Sequence, residues 1–208
     1  VIGIAPVGCA VFAYDYFDFD MLEVAHGRPP AAATGLKRSL PDRIIFSYQG
    51  DGDLAAIGTG EIIHAANRGE NISVFFINNA IYGMTGGQMA PTSLQGQRTS
   101  STQTGRNVER HGFPIRMCEL VAQIDGAAYV TRQSLHDIRH IRMAKKSIRK
   151  AFEVQDEELG LSMVELLSTC PTNWGMSAIE AMQWVEDYMI PTFPLGDYKD
   201  PEAVVDSR

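Results

Sequence analysis

Five short apolar runs rich in branched side chains, at positions 1–5, 43–48, 72–77, 127–131 and 161–168, alternate with stretches of helical periodicity. A strand that is apolar along its whole length has to be covered on both faces, and strands separated by helices run parallel. The pattern therefore predicts an α/β fold, a mostly parallel sheet with helices on both faces. Helices are expected at 30–40, 53–67, 115–124, 137–155 and 177–189. In the second of these Leu54, Ile57, Gly58, Ile62 and Ala65 share one face, and Gly69 offers a stop. With 208 residues, no repeat and no shift in composition, the chain reads as one domain over 1–196 and a frayed polar tail over 197–208. It opens at Val1, on a strand and without Met, so the N-terminus is expected to be truncated.

One segment breaks the alternation. Residues 80–112 hold six glycines and many Ser, Thr, Gln and Asn, with little periodicity. A loop longer than about 15 residues at a strand end, where open α/β sheets bind ligands, points to function. The formal charge of -7 disfavours a broad grip on nucleic acid or anionic lipid. The longest apolar run, Cys9 to Tyr14, falls far short of the roughly 18 residues of a membrane span. Three cysteines, Cys9, Cys118 and Cys170, cannot all pair within the chain, which favours a reducing cytoplasm over disulfide scaffolding.

The chemistry concentrates at two strand ends. Gly50-Asp51-Gly52-Asp53 stands between a strand and a helix, and Asn78-Asn79 closes the next strand, with 25 residues between Gly52 and Asn78. A helix of about 16 residues rises roughly 24 Å and a parallel strand returns the chain, so both ends meet at the carboxyl edge of the sheet. If the two strands are neighbours, Asp51 and Asn79 bring hard oxygens together, as magnesium requires. The glycines admit an anion close to the backbone, and the helix starting near Asp53 offers free N–H groups to phosphate. The unit is suited to a metal-bridged diphosphate.

These residues resemble the thiamine-diphosphate-binding beta subunits of 2-oxoacid:ferredoxin oxidoreductases, nearest the 2-oxoisovalerate and 2-oxoglutarate types. The likeness runs through Ala5-Pro6-Val7-Gly8-Cys9, His26-Gly27-Arg28, Ala33-Thr34-Gly35-Leu36-Lys37, Gly50 to Asp53, Asn78 through Gln88, and Cys170-Pro171-Thr172-Asn173-Trp174. It implies magnesium held by Asp51, Asn79 and the carbonyl of Ile81, and a diphosphate contacted by Gly50, Gly52, Asp53, Gly83 and Thr85. His26 and Met84 would face the thiazolium or the substrate, with Arg28 adding positive charge. The thioether of Met84, where pyruvate enzymes often carry Asn, suits a larger or branched acid, which puts 2-oxoisovalerate first, 2-oxoglutarate second and pyruvate third.

The resemblance further implies an alpha-type partner subunit supplying the glutamate that activates the aminopyrimidine. Coenzyme A would take the acyl group, and electrons would pass through iron-sulfur clusters to ferredoxin. Cys9 and Cys170 match two ligands of a [4Fe-4S] cluster, whose other two form a C-x-x-C pair upstream of where this sequence begins. Either that pair exists in a missing segment or the cluster is not intact, and two structural thiols are the alternative. A non-redox thiamine-diphosphate lyase or decarboxylase, and a non-catalytic diphosphate-binding assembly subunit, are the competing functions. Cys118 is expected in the core. Glu61 is expected to be structural. His64, His111, His136 and His140 show no metal-ligand spacing, the last three standing near expected surface. Six basic residues between Arg139 and Lys150, opposite Ile138, Ile141, Ile148 and Phe152, mark either a solvated helix face or a docking face for an acidic electron acceptor.

Overall fold

The computed structural model describes residues 1–201. Seven strands form one sheet: β1 (Ile2–Pro6), β2 (Asp20–Val24), β3 (Ile45–Gly50), β4 (Ser73–Asn78), β5 (Ala127–Ser134), β6 (Leu161–Leu167) and β7 (Gly196–Lys199). Their order across the sheet is β2-β1-β3-β4-β6-β5-β7. Every neighbouring pair is parallel except β7, which runs antiparallel to β5. The helices are α1 (Pro29–Ser39), α2 (Thr59–Asn67), α3 (Val108–His111), α4 (Met117–Ala122), α5 (Ile138–Asp156), α6 (Pro171–Trp174) and α7 (Ala178–Trp184). The fold class is the expected one, and its central strands are buried almost throughout.

Two strands escape the apolar-run criterion. In β2 the side chains are exposed or half-buried, as befits an edge strand. The other edge strand, β7, is Gly-Asp-Tyr-Lys and holds on through the backbone and through Tyr198 against the core. It also corrects the expected tail, because the sheet continues to Lys199 and Asp200 forms an ion pair with Lys150 at 2.8 Å. The domain therefore does not end at 196; the rest of that expected tail, 202–208, lies outside the described residues.

Alternate residues of each strand feed two cores. On one face Ile45, Val74, Phe76, Val130 and Met163 pack with Ala33, Leu54, Ile62, Cys118 and Val121 of the covering helices. On the other, Phe46, Phe75, Tyr129 and Val164 pack with Ala144, Ala151 and Val154 of α5, and Phe46 and Phe75 meet Phe152 edge-on. The apolar stripe expected on α5 is corrected at its start: Ile138 and Ile141 are exposed, and the helix buries the smaller Ala144, Ser147 and Ala151 instead. Small residues let α5 lie close on the sheet, while Gln155 ties it to β3 by accepting from Ile45 N at 2.7 Å and donating to Ile45 O at 2.9 Å.

On the face of the sheet covered by α4 lies a buried ionic chain. Arg132 of β5 donates to Glu165 of β6 at 2.9 Å and to Glu119 of α4 at 2.6 Å, and its guanidinium also meets Tyr198. Glu165 in turn accepts from Asn78 at 2.7 Å, at the end of β4.

Candidate functional site

The carboxyl ends of β1, β3, β4 and β6 all reach one edge of the sheet. A cavity of about 350 Å³ opens there, lined by Cys9, His26, Gly50, Asp51, Gly52, Asp53, Asn79, Ile81, Gly83, Met84 and Thr85 among others. The residues expected to hold the cofactor thus share one space with His26 and Met84. Arg28 does not line it; it pairs with Glu61, which accounts for the structural role expected of that glutamate.

At the floor, Asn79 N donates to Asp51 Oδ1 at 3.2 Å and Thr92 Oγ1 donates to Asp51 Oδ2 at 2.5 Å. The side-chain oxygen of Asn79 lies 3.2 Å from Asp51 Oδ1 and 2.8 Å from the carbonyl oxygen of Ile81. In this orientation of the carboxamide three oxygens face one another with no proton between them, an arrangement that a cation would relieve. Octahedral magnesium, with bonds of about 2.0 to 2.1 Å, sets adjacent ligand oxygens roughly 2.9 Å apart, close to both spacings. Turned over, the same carboxamide donates its N–H groups to both neighbours, so it can serve the site with or without an ion. Burial, only partly countered by the hydrogen bonds from Thr92 and the backbone, pushes the Asp51 carboxyl up to about 6. A carboxylate stripped of water in this way gains from a divalent cation.

The residue between the two Asn79 and Ile81 oxygens is held unusually. Ala80 has φ 56, a left-handed conformation that costs a non-glycine residue on the order of 1–3 kcal/mol. Three side chains keep it there. Asn78 Oδ1 accepts from Ala80 N at 3.1 Å, and Ala80 O accepts from Ser93 Oγ at 2.6 Å and from Gln97 Nε2 at 2.9 Å. The long loop 80–112 therefore braces the oxygen cluster, and Arg106 fastens that loop by donating to backbone carbonyls that include Pro91, Ser93 and Phe113. Sequence reasoning placed a functional loop here but not Thr92, Ser93 or Gln97, since polar residues in an aperiodic stretch carry no register.

The expected helix from Asp53 is divided. A π-helical turn, Asp53–Ile57, closes with Gly58 N donating to Asp53 O at 2.7 Å, and α2 follows. The Asp53 carboxylate, expected to matter only through its backbone, accepts from Gly27 N at 2.5 Å, pairs with His26 Nδ1 at 2.6 Å and also accepts from Gln49. This leaves His26 Nε2 directed at the cavity, near where side chains on Gly8 or Gly52 would stand. A Cβ on Gly52 would come within 3.0 Å of the Tyr82 ring, so the glycine keeps the diphosphate-sized floor open.

Gly27 has φ +78, and a Cβ there would stand 2.4 Å from Ile57 Cγ2 and 2.8 Å from Gly58 N. Gly27→Ala should therefore destabilise the chain by about 2 kcal/mol or more in denaturant titration. An unchanged midpoint would mean that the His26 loop does not pack on the π turn as described.

At the rim, Cys9 and Cys170 both face Gly83, each sulfur 3.4 Å from where a Cβ on that glycine would be. Asn173 Nδ2 donates to Cys170 Sγ at 3.3 Å and to Gly83 O at 3.1 Å. Both thiols are free, and burial together with the neighbouring Cys170 raises the Cys9 thiol. Cys118 is fully buried, donates to Thr131 O and belongs to the core, as expected. Met84, Val7 and Ile57 line the cavity yet remain about half exposed, leaving its mouth apolar and open.

The cavity lies at the carboxyl ends of the central strands, where open α/β sheets bind ligands. Residues 6–165 match the family of thiamine pyrophosphate enzymes at their C-terminal TPP binding domain, and the chain belongs to that family. Among curated relatives it is similar to the ketoisovalerate oxidoreductase subunit VorA of Methanothermobacter thermautotrophicus, with 48% identity over 200 residues, 96% of this chain and 42% of the relative. The 2-oxoglutarate synthase subunit KorB of Methanocaldococcus jannaschii is 38% identical over 175 residues, 84% of this chain and 60% of the relative. The chain thus spans only part of the curated relatives it matches. A solved 2-oxoglutarate:ferredoxin oxidoreductase from Magnetococcus marinus shares the fold, with TM-score 0.72 and 23% identity over 100% of this chain and 76% of that one. Among the described residues no helix is long and apolar enough to cross a membrane.

Proposed function

We propose that the chain is the thiamine-diphosphate-binding part of a 2-oxoacid:ferredoxin oxidoreductase that decarboxylates a 2-oxo acid to its acyl-CoA and passes electrons to ferredoxin. The observation that carries this reading is the convergence of the Asp51 carboxylate, the Asn79 carboxamide and the Ile81 carbonyl at the floor of a glycine-lined cavity. Magnesium would be held by those three groups, and the diphosphate by the backbone of Gly50, Gly52 and Asp53 on one side and Gly83 and Thr85 on the other. Bound there, thiamine diphosphate would supply the carbanion chemistry that releases carbon dioxide. His26, oriented by Asp53, would offer Nε2 to the substrate carboxylate or to a proton in transit. Met84 would furnish apolar contact for a branched substrate side chain, which ranks 2-oxoisovalerate first. The similarity to VorA supports the same order.

Cys9 and Cys170 would be two ligands of a [4Fe-4S] cluster beside the cavity. Such a cluster takes four thiolates, and Cys118, in the core, is not placed to be one of them. The half-exposed rim of Val7, Ile57 and Met84 would be covered by an alpha-type partner subunit, which supplies the glutamate for the aminopyrimidine. Free thiols suit a reducing cytoplasm.

The test is turnover of a panel of 2-oxo acids with coenzyme A and ferredoxin. The partner-assembled complex should reduce ferredoxin fastest with 2-oxoisovalerate, and the chain alone should be inactive. Decarboxylation without reduction of any acceptor would favour a non-redox lyase instead.

A further inference from the structure

Where β5 ends and α5 begins, three side chains from a five-residue stretch converge outside the cofactor cavity. Asp137 caps α5, its Oδ1 accepting from His140 N at 2.7 Å, and this hydrogen bond aims Oδ2 back between two imidazoles. His140 Nδ1 is 2.8 Å from Asp137 Oδ2 and His136 Nε2 is 3.5 Å from it. The ring centroids of the two histidines are 4.3 Å apart. His136 is buried rather than at the surface where the sequence placed it, and its other nitrogen, Nδ1, is 2.8 Å from Ser134 Oγ.

We infer that His136, Asp137 and His140 form a binding site for a divalent transition metal of the zinc class. Four observations carry this. All three donor atoms lie within 4.8 Å of one another. A tetrahedral ion with bonds of about 2.0 to 2.1 Å separates its ligands by about 3.3 Å, within a side-chain adjustment of the spacings found. The buried His140 Nδ1 satisfies no hydrogen-bond geometry and faces the cluster, 2.8 Å from Asp137 Oδ2. Ser134 occupies the second nitrogen of His136, the outer-shell contact that orients a metal-bound imidazole.

Asp137 is half exposed, so a fourth position faces solvent and would take water or a group from another chain. Two imidazoles and one carboxylate prefer zinc to the magnesium expected at the all-oxygen cluster under Asp51, so the two sites discriminate by donor type.

The test is a zinc titration of the tag-free full chain, with bound metal counted by elemental analysis and cobalt(II) used as a spectroscopic probe. The parent should hold one zinc per chain, and its cobalt form should show tetrahedral nitrogen and oxygen ligation without sulfur charge-transfer bands, which would instead report Cys9 and Cys170. His140→Ala should abolish stoichiometric binding. Asp137→Asn, which retains an N-cap acceptor, should weaken it about tenfold or more. Asp51→Asn should leave it intact. Because His140 and Asp137 are only partly buried, both variants should fold, with circular dichroism as the check. Unchanged affinity in His140→Ala, sulfur bands in the parent, or no stoichiometric zinc in the parent would each overturn the assignment.

Discussion

Replacing Asp51 with Asn should abolish magnesium-dependent binding of thiamine diphosphate and, without metal, make the protein more stable. The two effects have one cause. The carboxyl of Asp51 is pushed up to about 6 from 3.8, mainly by burial, so the folded state favours its protonated form. For an acid raised in this direction, the cost of keeping it ionised is absent at low pH and develops as pH climbs from about 4 to about 6. Roughly two pKa units correspond to about 3 kcal/mol at neutral pH. Asn carries no charge; its single side-chain oxygen can keep accepting from Asn79 N while its NH2 group donates to the Thr92 hydroxyl oxygen.

In EDTA at pH 7 the variant should therefore melt about 5 °C or more above the parent, a gap that closes as pH falls towards 4. With magnesium and thiamine diphosphate the order should reverse, because only the parent gains from the ligand. Calorimetric titration should give a loss of about a hundredfold or more in cofactor affinity, as expected when a buried cation loses its one anionic protein ligand. A variant that retained magnesium-dependent affinity would remove Asp51 from the metal site.

Glu165→Ala should be the most damaging single change to the fold. Glu165 and Arg132 are both fully buried, so solvent does not screen their pair. Burial alone would lower the Arg132 pKa, yet Glu165 and Glu119 outweigh it and raise it; with Glu165 gone, Arg132 still remains charged, because a guanidinium keeps its proton in proteins and Glu119 stays beside it. Leaving such a charge with a reduced complement costs about 3–5 kcal/mol. The effect should extend to the site, since Glu165 accepts from Asn78, whose other side-chain atom holds Ala80 in its left-handed conformation between the Asn79 and Ile81 oxygens. Urea unfolding should show the loss of stability. A Glu165→Gln variant, which keeps the shape and can still accept from Asn78, should recover part of it and most of the cofactor affinity. Equal losses in both variants would show that charge alone matters there.

The sheet's interior was legible in the sequence because strands covered on both faces must be apolar throughout, as in β4 and β6. Its edges were not: β2 and β7 are held by backbone pairing, which leaves little trace in side-chain pattern. The same division holds at the site. Asp51, Asn79 and the glycines around them could be found because strand-end geometry restricts which residue types work there. The Asp53 carboxylate was misjudged, for its contact with His26 depends on a π turn that widens the helix by one residue. Thr92, Ser93 and Gln97 reach the oxygen cluster from an aperiodic loop whose path only tertiary contacts define. His136 and His140 lacked any ligand spacing considered from sequence, and the N-cap turn of Asp137 is what folds them together.

The most direct measurement is a crystal structure of the assembled complex with thiamine diphosphate and manganese in place of magnesium, located by its anomalous scattering. One strong peak should lie within bonding distance of Asp51, the Asn79 side-chain oxygen and the Ile81 carbonyl, next to the diphosphate. A cofactor-bound complex whose manganese sat away from these three oxygens would contradict the account.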